Sequence, residues 1–167
     1  MSADASDELI DVLDEYGEVM ATVPRRQMRS ENLRHRSVFI VVRNGADEVL
    51  VHRRADWKDV WPGAWDIAVG GVVASGEAWE LAAARELVEE LGVTADLEYL
   101  GEGEYVDDSV RELARIYRAR SEGPFRLADE EIVELEWLPM SSLREWVATH
   151  EVCPDSLALV LPRLDAP

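Results

Sequence analysis

Cysteine, positive charge and long apolar runs are all scarce in this chain of 167 residues. The single cysteine, Cys153, excludes an intrachain disulfide and a zinc site made of several cysteines, and it fits a reducing compartment. No apolar run approaches the roughly 18 residues of a membrane-spanning helix. The acidic N-terminus also lacks the basic and then apolar order of a secretory signal. We therefore expect a cytoplasmic protein that does not enter a membrane.

The charge balance is strongly acidic, with 17 Lys and Arg against 35 Asp and Glu and a formal net charge of −18. Non-specific binding to nucleic acid and attraction to anionic membranes both depend on cationic side chains, so neither partner is expected. If the substrate is itself anionic, its charge must be neutralised locally. A bound cation is the simplest means of doing so.

The chain is long enough for one domain with a sizeable core, and 47% of its residues are hydrophobic, an ordinary globular proportion. Residues 9–13 and 19–23 flank an acidic turn and predict a β-hairpin. We assign 1–34 to a tail with this hairpin appendage and 35–167 to the main domain. Strands are predicted at 37–42, 48–53, 67–69, 97–100, 113–118 and 132–138, with Gly70 and Gly71 breaking the third, and helices at 77–91, 141–149 and 156–164. This order predicts a mixed sheet with helices packed on it.

The clearest helix covers residues 77–91, which contain no glycine or proline, and Gly92 follows where a helix often ends. At about 3.6 residues per turn, Glu86, Glu89 and Glu90 share one face. An apolar stripe on another face is expected to pack against the sheet; its members are Leu81, Ala84, Leu87, Val88 and Leu91. Ala82 and Ala83 lie one turn before the glutamates, where small side chains would leave the carboxylates open to a bulky ligand.

Three carboxylates on one helix face have two interpretations. Unpaired, they repel one another, and at least one should have a raised pKa. A hard divalent cation such as Mg²⁺ removes the repulsion and keeps positions for water and substrate phosphates, which makes the face a candidate site for phosphoryl chemistry. A run of glutamates is also typical of a solvated helix face, and the helix alone does not decide between the two.

Residues 71–93 resemble the complete signature of the Nudix family. That signature is a glycine, five residues, a glutamate, seven residues, and then Arg-Glu-aliphatic-any-Glu-Glu-any-Gly-aliphatic. Here Gly71, Glu77 and the run Arg85-Glu-Leu-Val-Glu-Glu-Leu-Gly-Val93 fill every fixed position at the required spacing. The resemblance implies an α/β Nudix fold, an α/β/α sandwich in which a mixed sheet carries helices on both faces, preceded here by the N-terminal hairpin.

The resemblance also implies an activity, namely hydrolysis of a diphosphate linkage in a nucleoside diphosphate derivative by attack of water, with Mg²⁺ or Mn²⁺ as cofactor. The implied metal ligands are the carboxylates of Glu86, Glu89 and Glu90 and the backbone carbonyl of Gly71. Arg85 would orient the carboxylates by ion pairing. Glu77 would support the loop or pair with that arginine, and Gly92 would end the helix. The general base varies among members, and the candidates here are Glu86 and, from a later loop, Glu131 or Glu130.

Residues 33–40, residues 61–65 and the hairpin resemble the isopentenyl-diphosphate-isomerase branch of the superfamily. That isomerase uses a cysteine shortly after its Trp-Pro-Gly stretch and a metal-binding histidine two residues later. Those two positions hold Gly70 and Val72 here, and neither residue can shuttle a proton or bind a metal. We therefore expect a hydrolase on an isomerase-like frame. The alternatives are an isomerase-like enzyme and a catalytically silent binding module with the Nudix fold.

Substrate contacts are expected from Arg53, Arg54 and Trp61. The arginines could bind a terminal phosphate bidentately, although balancing nearby acids explains them equally well. Trp61 could stack on a base or pack in the core. The expected partner is a small-molecule diphosphate, and a homodimer is possible. Which diphosphate it is does not follow from the sequence, since fold-level resemblance leaves specificity open.

Overall fold

A computed structural model describes residues 5–127 and 129–164. It begins with a short 3₁₀ turn and a two-stranded antiparallel hairpin, formed by β1 (Leu9–Leu13) and β2 (Val19–Pro24). Asp14 holds the turn, because its carboxylate accepts hydrogen bonds from the backbone N–H groups of Tyr16 at 2.8 Å and Glu18 at 3.0 Å. The predicted hairpin is therefore confirmed.

The central sheet has seven strands. They are β3 (His35–Arg43), β4 (Glu48–Arg54), β5 (Trp65–Asp66), β6 (Val69–Val72), β7 (Glu98–Val106), β8 (Arg111–Arg120) and β9 (Ile132–Pro139). Five lie in the order β5-β4-β3-β8-β7, while β6 pairs with β3 and β9 pairs with β4. The β3–β8 pair is parallel and the other pairs are antiparallel, so the sheet is mixed as predicted.

Strands β3 and β4 separate soon after their turn, and this separation shapes the site described below. Their ladder contains one residue pair, Arg43 with Val49. Beyond it, β3 continues against β6 and β8, whereas β4 continues against β5 and β9. A cleft thus opens between two neighbouring strands.

Helices cover both faces of the sheet. They are α1 (Arg25–Ser30), α2 (Trp79–Leu91), α3 (Leu143–Thr149), α4 (Pro154–Leu159) and α5 (Leu161–Leu164). One apolar cluster joins α2 to one face of the strands, and a second joins α3, α4 and α5 to the other face. This is the predicted α/β/α sandwich. Helix α1 was not predicted, since it is a single short element with one buried residue, Met28.

Strand β6 runs through the two glycines that were expected to break it. A side chain at Gly70 would overlap the carbonyl oxygen of Val38 and lie 2.9 Å from its carbonyl carbon, so glycine lets β6 lie close against β3. The prediction was wrong because it treated glycine as a breaker, whereas here glycine permits close backbone approach.

The core-facing side of α2 also differs from the expectation. Leu81 and Val88 of the predicted stripe are 66% and 46% exposed, and Ala84 is exposed as well. The buried residues are Ala82, Ala83, Glu86, Leu87 and Leu91. The small alanines let α2 sit close to the sheet, which brings the Glu86 carboxyl inward. They do not hold open a surface for a bulky ligand.

The carboxylate of Asp11 connects the hairpin to the loop before α2, beside backbone hydrogen bonds such as the one from Ser75 N–H to the Leu9 carbonyl at 2.8 Å. Asp11 accepts hydrogen bonds from the hydroxyls of Ser75 at 2.6 Å and Thr22 at 3.0 Å and from the backbone N–H of Gly76 at 3.2 Å. Together these hydrogen bonds lower the pKa of Asp11 against the opposing effect of burial, which is the largest single influence on it. The boundary at residue 34 between this appendage and the main domain stays a prediction. None of the helices within residues 5–127 and 129–164 is long and apolar enough to cross a membrane.

Candidate active site

Arg85 is the centre of a carboxylate cluster on α2 and the loop before it. Its Nε and Nη2 atoms donate to the two oxygens of Glu77 at 2.8 and 3.0 Å. Its Nη1 donates to Glu86 at 2.7 Å and to Glu89 at 3.1 Å, and Nη2 also reaches the carbonyl oxygen of Val72 at 3.2 Å. One guanidinium therefore orients three of the four glutamates of the signature, with Glu90 as the exception.

These contacts shift the pKa values of the partners in opposite directions. The Arg85 hydrogen bonds lower the pKa of Glu77, and the bond to Glu77 is the main reason why the pKa of Arg85 is raised. Glu77 also accepts a hydrogen bond from the backbone N–H of Ala74 at 3.0 Å, which ties the loop before α2 to its own helix. The pair is thus a charged structural support of the loop.

Glu86 lies against the backbone of Gly71. A β-carbon at Gly71 would lie 2.5–2.8 Å from the Glu86 carboxyl atoms, so the glycine makes room for that carboxyl. Glu86 is only 7% exposed, and this burial raises its pKa to about 7 despite the opposing effect of Arg85. A carboxyl group beside a backbone carbonyl in a desolvated position is a suitable ligand pair for a hard cation.

Glu90 lies on the inner side of the same helix end. Burial raises its pKa well above the usual range, and the negative charges of Glu86 and Glu131 raise it further. Lys58 opposes this effect, and its ammonium also contacts Glu131 at 2.9 Å. Glu131 from the later loop therefore lies within electrostatic reach of the helix carboxylates, while Glu130 is exposed.

The predicted substrate-binding residues separate into two groups. Arg54 and Trp61 line a cavity of about 80 Å³ in the cleft between β3 and β4, together with Gly71 and Glu90. Arg53 is outside that lining and bonds Glu134 at 2.8 Å on the neighbouring strand β9. Trp61 also contacts the Tyr105 ring edge-on, with the two ring centroids 6.0 Å apart.

The lining of this cavity also includes ionisable residues outside the predicted site, namely Arg29, His52, Asp66, Glu112 and Asp155. One signal was present. Glu112 falls in the same period-two phase of β8 as Ala114 and Ile116, which are fully buried, and a carboxylate in the apolar phase of a strand is unusual. The other residues come from separate segments and meet only in the folded chain.

Comparison with known proteins settles the family. A profile of the NUDIX domain matches residues 33–155. The chain belongs to the Nudix hydrolase family. This Nudix hydrolase is 39% identical to one from Pseudomonas aeruginosa over 97% of both chains, and 38% identical to YfcD of Escherichia coli over 92% of this chain and 84% of that one. A crystal structure from Deinococcus radiodurans matches with a TM-score of 0.79 and 28% identity, covering 95% of this chain and all of that one.

As a Nudix hydrolase, the protein is an enzyme that acts on a small-molecule substrate, and members of the family generally use divalent metal ions. Within the described residues, no group of three His, Cys, Asp or Glu side chains is arranged as a ready-made metal cage. Glu86 and Glu89 instead both accept hydrogen bonds from Arg85.

The two positions at which the isomerase has its cysteine and histidine hold residues that serve packing in this Nudix hydrolase. Gly70 has no room for a side chain against β3. Val72 is 2% exposed and packs under the hairpin with Ile10 and Met28. The relation to the isomerase branch stays a prediction.

Proposed function

We propose that the protein is a cytoplasmic, Mg²⁺-dependent pyrophosphohydrolase that cleaves the diphosphate linkage of a nucleoside diphosphate derivative by attack of water. The observation that carries the proposal is the arrangement at Arg85, which holds Glu77, Glu86 and Glu89 around one guanidinium with Glu86 pressed against Gly71. A solvated helix face, the other interpretation of the glutamate run, would not bury one of its carboxylates to 7% exposure.

The chemistry of these donors fits a divalent cation. Glu86 and Glu90 repel each other in a desolvated position, and both have raised pKa values. A cation held by Glu86, Glu89, Glu90 and the carbonyl oxygen of Gly71 would relieve this repulsion. When bound, Mg²⁺ or Mn²⁺ would supply charge neutralisation for the diphosphate and acidify a bound water.

The chain's own residues have distinct parts in this proposal. Arg85 and Glu77 position the carboxylates, and Arg54 at the cavity wall attracts the anionic part of the substrate. Glu86, whose carboxyl lies against Gly71, is the first candidate to take a proton from the attacking water. Glu131 is the second candidate base, but its carboxylate is already bound by Lys58.

The test is incubation with Mg²⁺ and a panel of nucleoside diphosphate derivatives, with isopentenyl diphosphate included, in ¹⁸O-labelled water. We expect cleavage with one labelled phosphate product in the mass spectrum. Glu86→Gln and Glu89→Gln should each lower the rate at least about a hundredfold. Glu80→Gln, on the same helix but 65% exposed at its side chain, is the matched control and should leave the rate unchanged.

Two results would overturn the proposal. The first is cleavage that persists in both Glu86→Gln and Glu89→Gln. The second is isomerisation of isopentenyl diphosphate without any hydrolysis in the panel, which would support the isomerase-like alternative. Calorimetry with Mg²⁺ and Mn²⁺ on wild type and Glu89→Gln checks the metal assignment separately. Equal metal affinity in the two proteins would contradict that assignment.

A further inference from the structure

The loop between β6 and α2, residues 73–78, joins the two parts of the carboxylate site. Gly71, whose carbonyl oxygen is a proposed metal ligand, lies just before the loop in β6. Glu77, which binds Arg85 through its carboxylate, lies near the end of the loop. A shift of the loop would therefore move both groups relative to the glutamates of α2. Loops are usually the more mobile parts of a fold, so the contacts that fix this one bear on the site.

The backbone N–H groups of residues 73–77 all donate hydrogen bonds. Two of the acceptors belong to the loop itself, namely the Ala74 carbonyl and the Glu77 carboxylate. The other three lie outside it: the Arg36 carbonyl accepts from Val73 at 2.9 Å, the Leu9 carbonyl from Ser75 at 2.8 Å and the Asp11 carboxylate from Gly76 at 3.2 Å. Leu9 and Asp11 are both in β1, so the hairpin supplies two of the three outside acceptors.

The side chain of Arg36, in β3, binds the carbonyl groups of the same loop. Its Nη1 donates to the Glu77 carbonyl oxygen at 3.1 Å, and its Nη2 donates to the Ala74 carbonyl oxygen at 3.2 Å. Nη2 also lies 3.5 Å from Asp11 Oδ2. The guanidinium is 5.2 Å from the centroid of the ring of Trp79, the first residue of α2. Asp11 thus binds an N–H group of the loop, Arg36 binds two carbonyl groups, and the two side chains contact each other.

Glu77 connects this pair of side chains to the carboxylate site. Its carbonyl oxygen accepts a hydrogen bond from Arg36. Its carboxylate accepts from Arg85, which also binds Glu86 and Glu89. A displacement of the Glu77 backbone would therefore be transmitted to the guanidinium that orients the helix carboxylates.

Attachment of the hairpin does not need these charged groups. Ile10 and Met28 already pack with Val72 in an apolar cluster, and none of the three is more than 2% exposed. Hydrophobic burial holds surfaces together without a preferred direction, whereas hydrogen bonds to charged groups fix distances and angles. Burial of the Asp11 carboxylate also costs free energy that attachment alone would not require. The Asp11–Arg36 pair is therefore suited to setting the position of the loop.

We propose that Asp11 and Arg36 are positioning residues of the active site, and that strand β1 acts through them to hold Gly71 and Glu77 in place relative to the glutamates of α2. The hairpin is then a part of the site, although it lies outside the signature of residues 71–93. The inference rests on the proposed function, because the groups that are positioned are the proposed metal ligands and their supports.

Three substitutions and one control test the proposal. Asp11→Ala removes the carboxylate from the loop, and Arg36→Met removes both carbonyl donors but leaves the hydroxyl partners of Asp11 in place. Asp11→Asn is the conservative variant, because its amide oxygen can accept from the Gly76 N–H while its NH₂ group donates to the two hydroxyls. Asp14→Ala is the matched control, since the carboxylate of Asp14 binds backbone N–H groups of the hairpin turn.

The first measurement is amide hydrogen exchange of the metal-free protein in EDTA, and the second is Mn²⁺ affinity from the electron paramagnetic resonance signal of free Mn²⁺. For Asp11→Ala and Arg36→Met we expect amides 73–77 to exchange about tenfold faster and Mn²⁺ to bind about tenfold more weakly. In turnover, kcat should fall about tenfold with KM nearly unchanged, because neither substituted residue lines the cavity. Asp11→Asn should restore most of each loss, and Asp14→Ala should match wild type.

Thermal unfolding shows which variants are folded, and Arg36→Met carries the test should Asp11→Ala fail to fold. Wild-type exchange of these amides in the folded variants would overturn the inference. So would faster exchange with unchanged Mn²⁺ affinity and kcat, since the contacts would then serve stability only. Effects of Asp14→Ala as large as those of Asp11→Ala would overturn it as well. Failure of the proposed function is distinguishable, because wild type itself would then bind no Mn²⁺ and hydrolyse no substrate.

Discussion

The molecule contains two clusters of carboxyl groups, of which the first is partly exposed and the second is buried. In the first, on α2 and the loop before it, Glu77, Glu86 and Glu89 all accept hydrogen bonds from Arg85. In the second, in the lining of the cavity, Glu112 and Asp155 share a hydrogen bond, and Arg29 acts on Glu112 only through its charge. Residue type is similar in the two clusters, but burial is not, since the Glu89 side chain is 48% exposed whereas Glu112 and Asp155 are buried. The clusters therefore differ both in burial and in the guanidinium.

The difference shows how a fold assigns separate roles to the same functional group. Where a guanidinium is hydrogen-bonded, the pKa of Glu77 falls, although burial still raises the pKa of Glu86 to about 7. Where it is not, burial keeps one proton on the pair, and the pKa of Asp155 rises to about 9. A carboxyl group with a hydrogen-bonded guanidinium therefore stays ionised to lower pH than one that is only buried.

Removal of Arg85 should have the largest effect, because it leaves Glu77, Glu86 and Glu89 without the guanidinium that binds all three. We expect Arg85→Met to lose about 3 kcal/mol of unfolding free energy, measured in urea, since a partly buried charge group loses its partner. Hydrolysis should fall by about a hundredfold, because the carboxylates lose their orientation.

The matched control for Arg85→Met is Arg118→Met. Arg118 also binds a glutamate, Glu98, at 2.7 Å, but the Glu98 side chain is 59% exposed. An exposed pair of this kind contributes little, so this control should lose about 1 kcal/mol or less and keep its activity. Equal losses in the two variants would show that the Arg85 cluster is no more than a surface ion pair.

Two neighbouring glycines allow the position of Glu86 to be changed separately from the packing of the sheet. In Gly71→Ala the new methyl group would meet the Glu86 carboxyl at 2.5–2.8 Å, a movable side chain, so activity should fall about tenfold or more with little loss of stability. In Gly70→Ala the methyl group would meet the backbone of β3, and we expect a loss of about 2 kcal/mol.

Steady-state rates and urea unfolding of the two glycine variants separate these effects. The comparison is informative because the two residues are adjacent and both lie in β6. If Gly71→Ala keeps full activity while its structure is intact, Glu86 does not need its place against Gly71. The carboxylate site would then have to be reassigned.

The sequence was sufficient to recognise the family signature but not to predict which face of its helix is buried. Resemblance to the family signature named Gly71, Glu77, Arg85 and the glutamates 86, 89 and 90, whose roles stay predictions, and Gly92 ends α2 in the left-handed conformation with φ of 69°. Hydrophobic periodicity nevertheless placed Leu81 and Val88 inward, because it weighs apolarity and not size. Helix α2 faces a strand with two glycines, and small residues fit that surface better than large ones.

The second cluster was beyond prediction for a different reason. Glu112, Asp155 and His52 are distant in the chain and form no motif with a fixed spacing. They meet because β8 pairs in parallel with β3 while β4 turns away, which is a property of the whole topology. Local patterns specify elements, and a pocket between diverging strands depends on how those elements are arranged.

Asp155 provides the mildest test of the comparison, through the pH dependence of stability. Its pKa is about 9 in the folded protein against a usual 3.8, so between these values the folded state holds a proton that the unfolded state has released. This contribution to stability is fully present below pH 4 and is lost as pH rises toward 9. Asparagine carries no such proton, so Asp155→Asn should lose less stability than wild type over this range. We expect this advantage to be absent near pH 4 and to grow steadily toward pH 8.

Urea unfolding at several pH values measures this difference directly, and subtraction of the two curves removes the titration of groups common to both proteins, including Glu86. Asp108→Asn, an exposed aspartate in the turn between β7 and β8, serves as the control. Parallel curves for Asp155→Asn and wild type would mean that Asp155 is ionised when folded. In that case a cation must balance the negative charge of the second cluster as Arg85 balances that of the first. The two clusters would then no longer differ in this respect.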